Sequence, residues 1–131
     1  MPMDNDVKAI IHQLGVSVLF GSLECSGYYS SEFNVIFISN QLDELQTKVV
    51  LLHELGHASK QRDEMELYKA TMAMKIKLEY GANRFMIKWL LNRYISITGD
   101  DPQSINYLEF MRQNDIPARD ENIVKETIAS Y

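Results

Sequence analysis

The stretch VVLLHELGHAS at residues 49–59 decides how this sequence folds and what chemistry it can carry. It contains no proline and belongs to a longer pattern, residues 42–59, that predicts one α-helix. His53 and His57 lie one helical turn apart, so their side chains leave the same helix face with Cβ atoms about 5–6 Å apart. Two imidazoles at this spacing can bind one metal ion at about 2.0–2.1 Å from each nitrogen.

Glu54 follows the first histidine directly and is therefore rotated by about a quarter turn around the helix. Its carboxylate is expected beside the ion, within reach of a water but outside the ligand set. Zinc lowers the pKa of a bound water towards about 7 and polarises the scissile carbonyl. Glu54 would accept the proton of that water and pass it to the leaving amine. The motif predicts zinc-dependent peptide hydrolysis, with Glu54 as the general base.

A third metal ligand must come from outside this motif, because catalytic zinc sites use three protein ligands and one open position. We predict Glu79, which lies 22 residues after His57 (79 − 57 = 22) on the next long helical pattern. Ala82 and Asn83 follow it at i+3 and i+4, so small and polar groups share its helix face. Other donors in the chain remain open as alternatives: Asp63, Glu64, Glu66, His12 and Cys25.

Length and composition are those of an ordinary globular protein. The chain has 131 residues, of which 46% are hydrophobic and 24% charged, and we predict a single domain over residues 1–131 with its core at about 15–95 and a helical part at 100–131. A net charge of −5, with both signs scattered, argues against direct binding to nucleic acid. One cysteine excludes an intrachain disulfide and a cysteine-rich metal site. The sequence leaves the oligomeric state open.

The N-terminus is acidic and lacks the features of a signal peptide, and no apolar run approaches the roughly 20 residues of a membrane span. We therefore expect a cytoplasmic protein that does not enter a membrane.

The order of the predicted elements is α-β-β-β-α-α-α-α, which indicates an α+β fold with a small antiparallel sheet packed on helices. The first helix is expected to start at an Asp4 N-cap. Phe85 and Trp89, at i and i+4, are expected to anchor the core. The predicted elements are a helix at 4–14, a strand at 16–20, a hairpin at 28–38 turning at 30–32, and helices at 42–59, 63–95, 101–113 and 119–130.

Several of these segments together resemble the ImmA/IrrE family of metallo-endopeptidases. The similar residues are 35–38, 50–58 and 78–86, with a weaker similarity at 114–117. The family's second motif is written Glu-x-Glu-Ala-Asn-x-Phe-Ala, and Glu79, Ala82, Asn83 and Phe85 match it. Gly81 stands where the family has its second glutamate, so only Glu79 can supply that carboxylate here.

The resemblance implies a zincin-like fold with the HExxH motif on the active-site helix, and zinc-dependent endopeptidase activity. It also implies a partner, since such proteins of phages and mobile elements act on a helix-turn-helix repressor. No helix-turn-helix is evident in this sequence, so that repressor would be a separate protein. The alternative is a binding protein on a zincin scaffold that acts as an antirepressor or antitoxin without cleavage.

Overall fold

A computed structural model describes residues 5–131, and it confirms the α+β class. The predicted cap Asp4 lies outside the described residues. Helix α1 (Asn5–Leu14) is followed by three strands, β1 (Ser17–Gly21), β2 (Gly27–Ser30) and β3 (Val35–Ser39). The remaining helices are α2 (Glu44–Gln61), α3 (Met65–Thr98), α4 (Tyr107–Gln113) and α5 (Glu121–Ala129), with short 3₁₀ turns at Pro102–Ser104 and Ala118–Asp120.

The sheet is mixed, so the predicted antiparallel sheet is wrong. Its strand order is β1-β3-β2, with β2 antiparallel and β1 parallel to β3. Ile36 and Ile38 of β3 are fully buried, which places this apolar strand in the centre. The residue pattern identified the strands correctly. It carries no information on the direction in which β1 pairs with β3, because no tight turn connects these two strands.

Two compact units divide the chain, Met1–Leu78 and Glu79–Tyr131. In the first unit, α2 packs on β2, β3 and α1, and the core joins α1, the sheet and the inner face of α2. In the second unit, the C-terminal half of α3 forms a separate core with α4 and α5. The single domain over 1–131 stays a prediction. The main buried side chains of the first core are Val7, Ile10, Leu14, Ile36, Ile38, Leu51 and Leu55, and those of the second are Ile87, Leu91, Phe110 and Val124.

Helix α2 begins at a capping box. The Asp43 carboxylate accepts a hydrogen bond from the Gln46 backbone N–H at 2.7 Å, and the Gln46 side chain accepts one from the Asp43 N–H at 3.1 Å. These reciprocal bonds satisfy backbone donors that the first turn of a helix leaves unpaired. They fix the residue at which α2 begins and therefore which side chains of its later turns share a helix face.

Two glycines of the first unit have neighbouring atoms closer than an added Cβ would allow, and they predict different responses to alanine. A Cβ on Gly27 would lie 2.7 Å from Val50 Cγ1 and 2.8 Å from the Phe37 backbone oxygen. We expect Gly27→Ala to lower the free energy of unfolding by about 1–3 kcal/mol, because the backbone oxygen cannot move aside alone. Urea denaturation of Gly27→Ala and of the unaltered chain would measure this difference in the free energy of unfolding.

Gly56→Ala is the matched comparison. Its Cβ would meet Met72 Cε at 2.5 Å, but that methyl is the end of a flexible side chain, and alanine is about 1 kcal/mol better than glycine inside a helix. We expect Gly56→Ala to be close to neutral. An equal loss of stability in both variants would contradict this account of the two sites.

None of the helices within residues 5–131 is long and apolar enough to cross a membrane.

Candidate metal centre

The last turns of α2 carry the three residues of the motif in two different environments. His53 and His57 are exposed, whereas Glu54 is buried, with 6% of its surface accessible. This difference follows from the helix period, because Leu51, Leu55 and Ala58 turn the opposite side of α2 into the core. Potential ligand atoms of His53, Glu54 and His57 all lie within 4.8 Å of one another.

The two imidazoles converge through their Nε2 atoms. Nε2 of His57 lies 3.1 Å from Nε2 of His53, and the rings meet edge to face with centroids 4.6 Å apart. Two nitrogens bound to one ion at 2.0–2.1 Å in tetrahedral geometry are about 3.3 Å apart. The spacing of these nitrogens therefore fits joint coordination of a metal ion after a shift of a few tenths of an ångström.

The carboxylate of Glu54 provides a second test of fit. Its Oε2 atom is buried, and within the described part of the chain no group donates a hydrogen bond to it. A buried charged oxygen without a partner is unfavourable, and such groups mark places where an ion, a water or a reaction completes the site. Two convergent imidazoles beside this oxygen are a donor set suited to a divalent metal ion with a water. The residues present fit the group that the motif implies.

An open cavity of about 470 Å³ adjoins this group. One side is formed by the edge strand β2 and the turn after it, and the other by α2. The lining residues are Tyr28, Tyr29, Ser31, Glu54, His57, Lys60 and Gln61. An extended peptide alongside β2 could therefore reach Glu54 and His57, which is a geometry suited to peptide hydrolysis.

Lys75 lies next to the site, and the sequence did not predict this contact. Its Nζ lies 3.3 Å from Nδ1 of His53. An ammonium group can only donate, so Nδ1 accepts in this contact and a neutral His53 carries its proton on Nε2. That proton is then shared with Nε2 of His57. Metal ligation through Nε2 of His53 requires the opposite tautomer, with the proton on Nδ1.

The contact predicts that Lys75 opposes metal binding. We expect Lys75→Met to tighten zinc binding by about tenfold, because it removes a positive charge and the donor that holds the unfavourable tautomer. Competition with a chromogenic chelator measures the affinity. Lys77→Met, which removes an equal charge from an exposed position on the same helix, is the control. Unchanged or weaker binding in Lys75→Met would exclude this role.

The predicted third ligand, Glu79, is exposed on α3 at the start of the second unit. Its role stays a prediction. Of the alternatives in the first unit, His12 is exposed on α1, and Asp63, Glu64 and Glu66 are exposed around the connection from α2 to α3. Cys25 is exposed as well. None of these five alternatives belongs to the convergent group found in residues 5–131.

A histidine pair and a buried carboxylate on one helix of an α+β fold form a candidate metal centre of the metallopeptidase class. Residues 10–97 match the model of peptidase family M78, the IrrE N-terminal-like domain. The chain therefore belongs to the ImmA/IrrE family of metallopeptidases, as its motifs predicted. No curated protein and no solved structure matches the chain.

Proposed function

We propose that this chain is a cytoplasmic zinc endopeptidase that cleaves, and so inactivates, a helix-turn-helix repressor of a phage or another mobile element. The observation that carries the proposal is the Oε2 atom of Glu54, which is buried without a hydrogen-bond partner next to two convergent imidazoles at an open cavity. Membership of a metallopeptidase family supports the reaction class. The repressor is proposed by analogy with the family.

Each residue has one role in the proposed reaction. His53 and His57 hold the ion, with Glu79 proposed as the third ligand. Bound zinc would activate a water and polarise the scissile carbonyl. Glu54 takes a proton from the attacking water, and the same carboxylic acid then gives it to the leaving amine.

The edge strand β2 is proposed to align the substrate. Its partner β3 lies on one side only, so its outer edge can pair with an extended peptide through main-chain hydrogen bonds. Tyr28 and Tyr29 of this strand line the cavity together with Glu54 and His57. The scissile bond of a peptide bound there would lie over the α2 motif.

The test is cleavage of a purified repressor encoded beside this gene. Zinc-loaded protein should give two fragments whose masses add up to the intact repressor plus one water, and a chelator should stop the reaction. An intact repressor that nevertheless leaves its operator when this chain is added would instead indicate the non-cleaving antirepressor. An intact repressor that stays on its operator would exclude both functions for that partner.

A further inference from the structure

The C-terminal half of α3 exposes large apolar side chains on the side opposite its core. Phe85 is 77% exposed, Met86 50%, Trp89 56% and Ile97 73%. They lie within an arc of about 120° around the helix axis. Together they expose an area on the order of 400 Å², which is as large as the largest apolar patch of a typical monomer and is often functional.

Positive charge lies beside and within this apolar arc. Residues 80–98 contain three cations, Arg84, Lys88 and Arg93, and no acidic residue, although the chain as a whole carries a net charge of −5. The Arg93 guanidinium lies 5.9 Å from the centre of the Trp89 ring. We call Arg84, Phe85, Met86, Lys88, Trp89, Arg93 and Ile97 the basic apolar face.

Arg84 and Lys88 also line a cavity of about 300 Å³ beside this face. The other lining residues are Asn92, Thr127, Ser130 and Tyr131, so its charged side chains are both positive. Neither cation forms an ion pair with any residue in 5–131. Cations that form no ion pair and lie next to exposed apolar groups are complementary to a surface that combines apolar and acidic side chains.

Glu126, an acidic residue close to this region, is already engaged. Glu126 on α5 accepts a hydrogen bond of 2.8 Å from the Tyr80 hydroxyl, and this bond is the main reason why the pKa of Tyr80 is raised. Arg84 lowers the pKa of Tyr80, which places its guanidinium near the hydrogen-bonded pair of Tyr80 and Glu126. The carboxylate of Glu126 therefore bonds to a phenol instead of forming an ion pair with either cation.

We propose that the basic apolar face is a docking surface for an acidic amphipathic helix of another protein. A helix with apolar residues at i, i+3, i+4 and i+7 and carboxylates along their borders would cover the apolar arc and pair with Arg84, Lys88 and Arg93. The proposal does not depend on peptidase activity, since no residue of the α2 motif takes part.

Two other occupants fit the charges less well. A second copy of this chain, paired face to face about a two-fold axis, would bring three cations against three cations and no acid between them. An anionic membrane would attract three cations, fewer than the four to eight typical of such contacts, and would repel the remainder of an acidic protein. An acidic helix satisfies both the apolar arc and the charges.

Trp89 provides the readout, because it is the only tryptophan of the sequence. The probe is a synthetic helix of about 18 residues with leucines on one face and glutamates along its borders. We expect saturable binding with a shift of the Trp89 emission to shorter wavelength, as the indole leaves water. Affinity should fall as salt is added. A peptide with lysines in place of the glutamates is the charge control.

Variants assign the binding to this face. Reversing two charges, in R84E/K88E, should weaken the peptide by about tenfold or more, which is at least 1.4 kcal/mol. The matched control K8E/K69E reverses two exposed cations of the first unit and should bind like the unaltered chain. Phe85→Ser removes apolar area from an exposed position, so it should weaken binding while circular dichroism shows an unchanged fold.

The following results would overturn the proposal. One is that the lysine peptide binds as tightly as the glutamate peptide. Another is that R84E/K88E and K8E/K69E lose the same affinity. A third is that the glutamate peptide does not bind. Preferential binding to phosphatidylglycerol vesicles would assign the face to a membrane, and a Trp89-dependent dimer in sedimentation would assign it to a second copy. The peptide assay uses neither zinc nor a repressor, so failure here and failure of the proposed peptidase remain distinguishable.

Discussion

Glu54→Gln is expected to lower the rate of repressor cleavage by about 10²–10⁴-fold while zinc remains bound. Glutamine has nearly the same shape as glutamate, so the buried position stays filled and His53 and His57 keep their places. It cannot accept a proton from water and return it to the leaving amine. The loss should therefore fall on the rate of the chemical step and leave the metal content unchanged.

Single-turnover cleavage and elemental analysis of the same sample measure the two quantities. Glu44→Gln is the matched control, since Glu44 lies exposed in the first turn of the same helix and pairs with Lys48 at 3.6 Å. It should cleave at the normal rate. Full activity in Glu54→Gln would exclude its role as general base. Normal derepression without cleavage in a reporter strain carrying Glu54→Gln would support the antirepressor alternative instead.

His57→Ala is expected to abolish stabilisation of the fold by zinc. A ligand present at 100 times its Kd stabilises the folded state by about 2.7 kcal/mol. For a chain of this length that corresponds to a rise in Tm of roughly 10 °C. Without the His57 imidazole, His53 and Glu54 would be left as the convergent donors on α2, and zinc added at the same concentration should leave Tm nearly unchanged. Differential scanning calorimetry with and without zinc measures this effect.

His12→Ala is the control, because His12 is the one histidine of the sequence outside the α2 motif and lies exposed on α1. It should retain the full effect of zinc. The same assay identifies the third ligand, since the Gln variant of the true ligand loses most of the stabilisation. Glu79→Gln is expected to do so and Glu66→Gln is not. A normal zinc effect in His57→Ala would contradict a metal centre on α2.

The local structure of α2 could be predicted from the sequence, because it depends on residues that are neighbours along the chain. Its predicted span of 42–59 is close to the observed Glu44–Gln61. The spacing of His53 and His57 placed both imidazoles on one face for the same reason. The hairpin was predicted with its turn, since polar residues separate β2 from β3.

Features that depend on long-range packing could not be predicted. Pairing of β1 with β3 and the contact of Lys75 with His53 join segments whose register no local pattern specifies. Phe85 and Trp89 were expected in the core because they are large and apolar, and that expectation is wrong, since both are more than half exposed. Helical spacing shows which side chains share a face, but it does not show whether that face is covered.

The parallel pairing of β1 with β3 has a consequence for the order in which the sheet assembles. Ser30 and Val35 are five residues apart (35 − 30 = 5), whereas Ser17 pairs with Val35 across 18 residues (35 − 17 = 18). Closing the longer loop loses more chain entropy, so we expect the β2–β3 hairpin to form first and β1 to join it afterwards. Pulse-labelling hydrogen exchange should then show the amides of β1 protected later than those of β2. Before β1 pairs, a folding chain exposes the unpaired edge of β3, its most apolar strand. We expect the chain to be most prone to aggregation at this stage of folding.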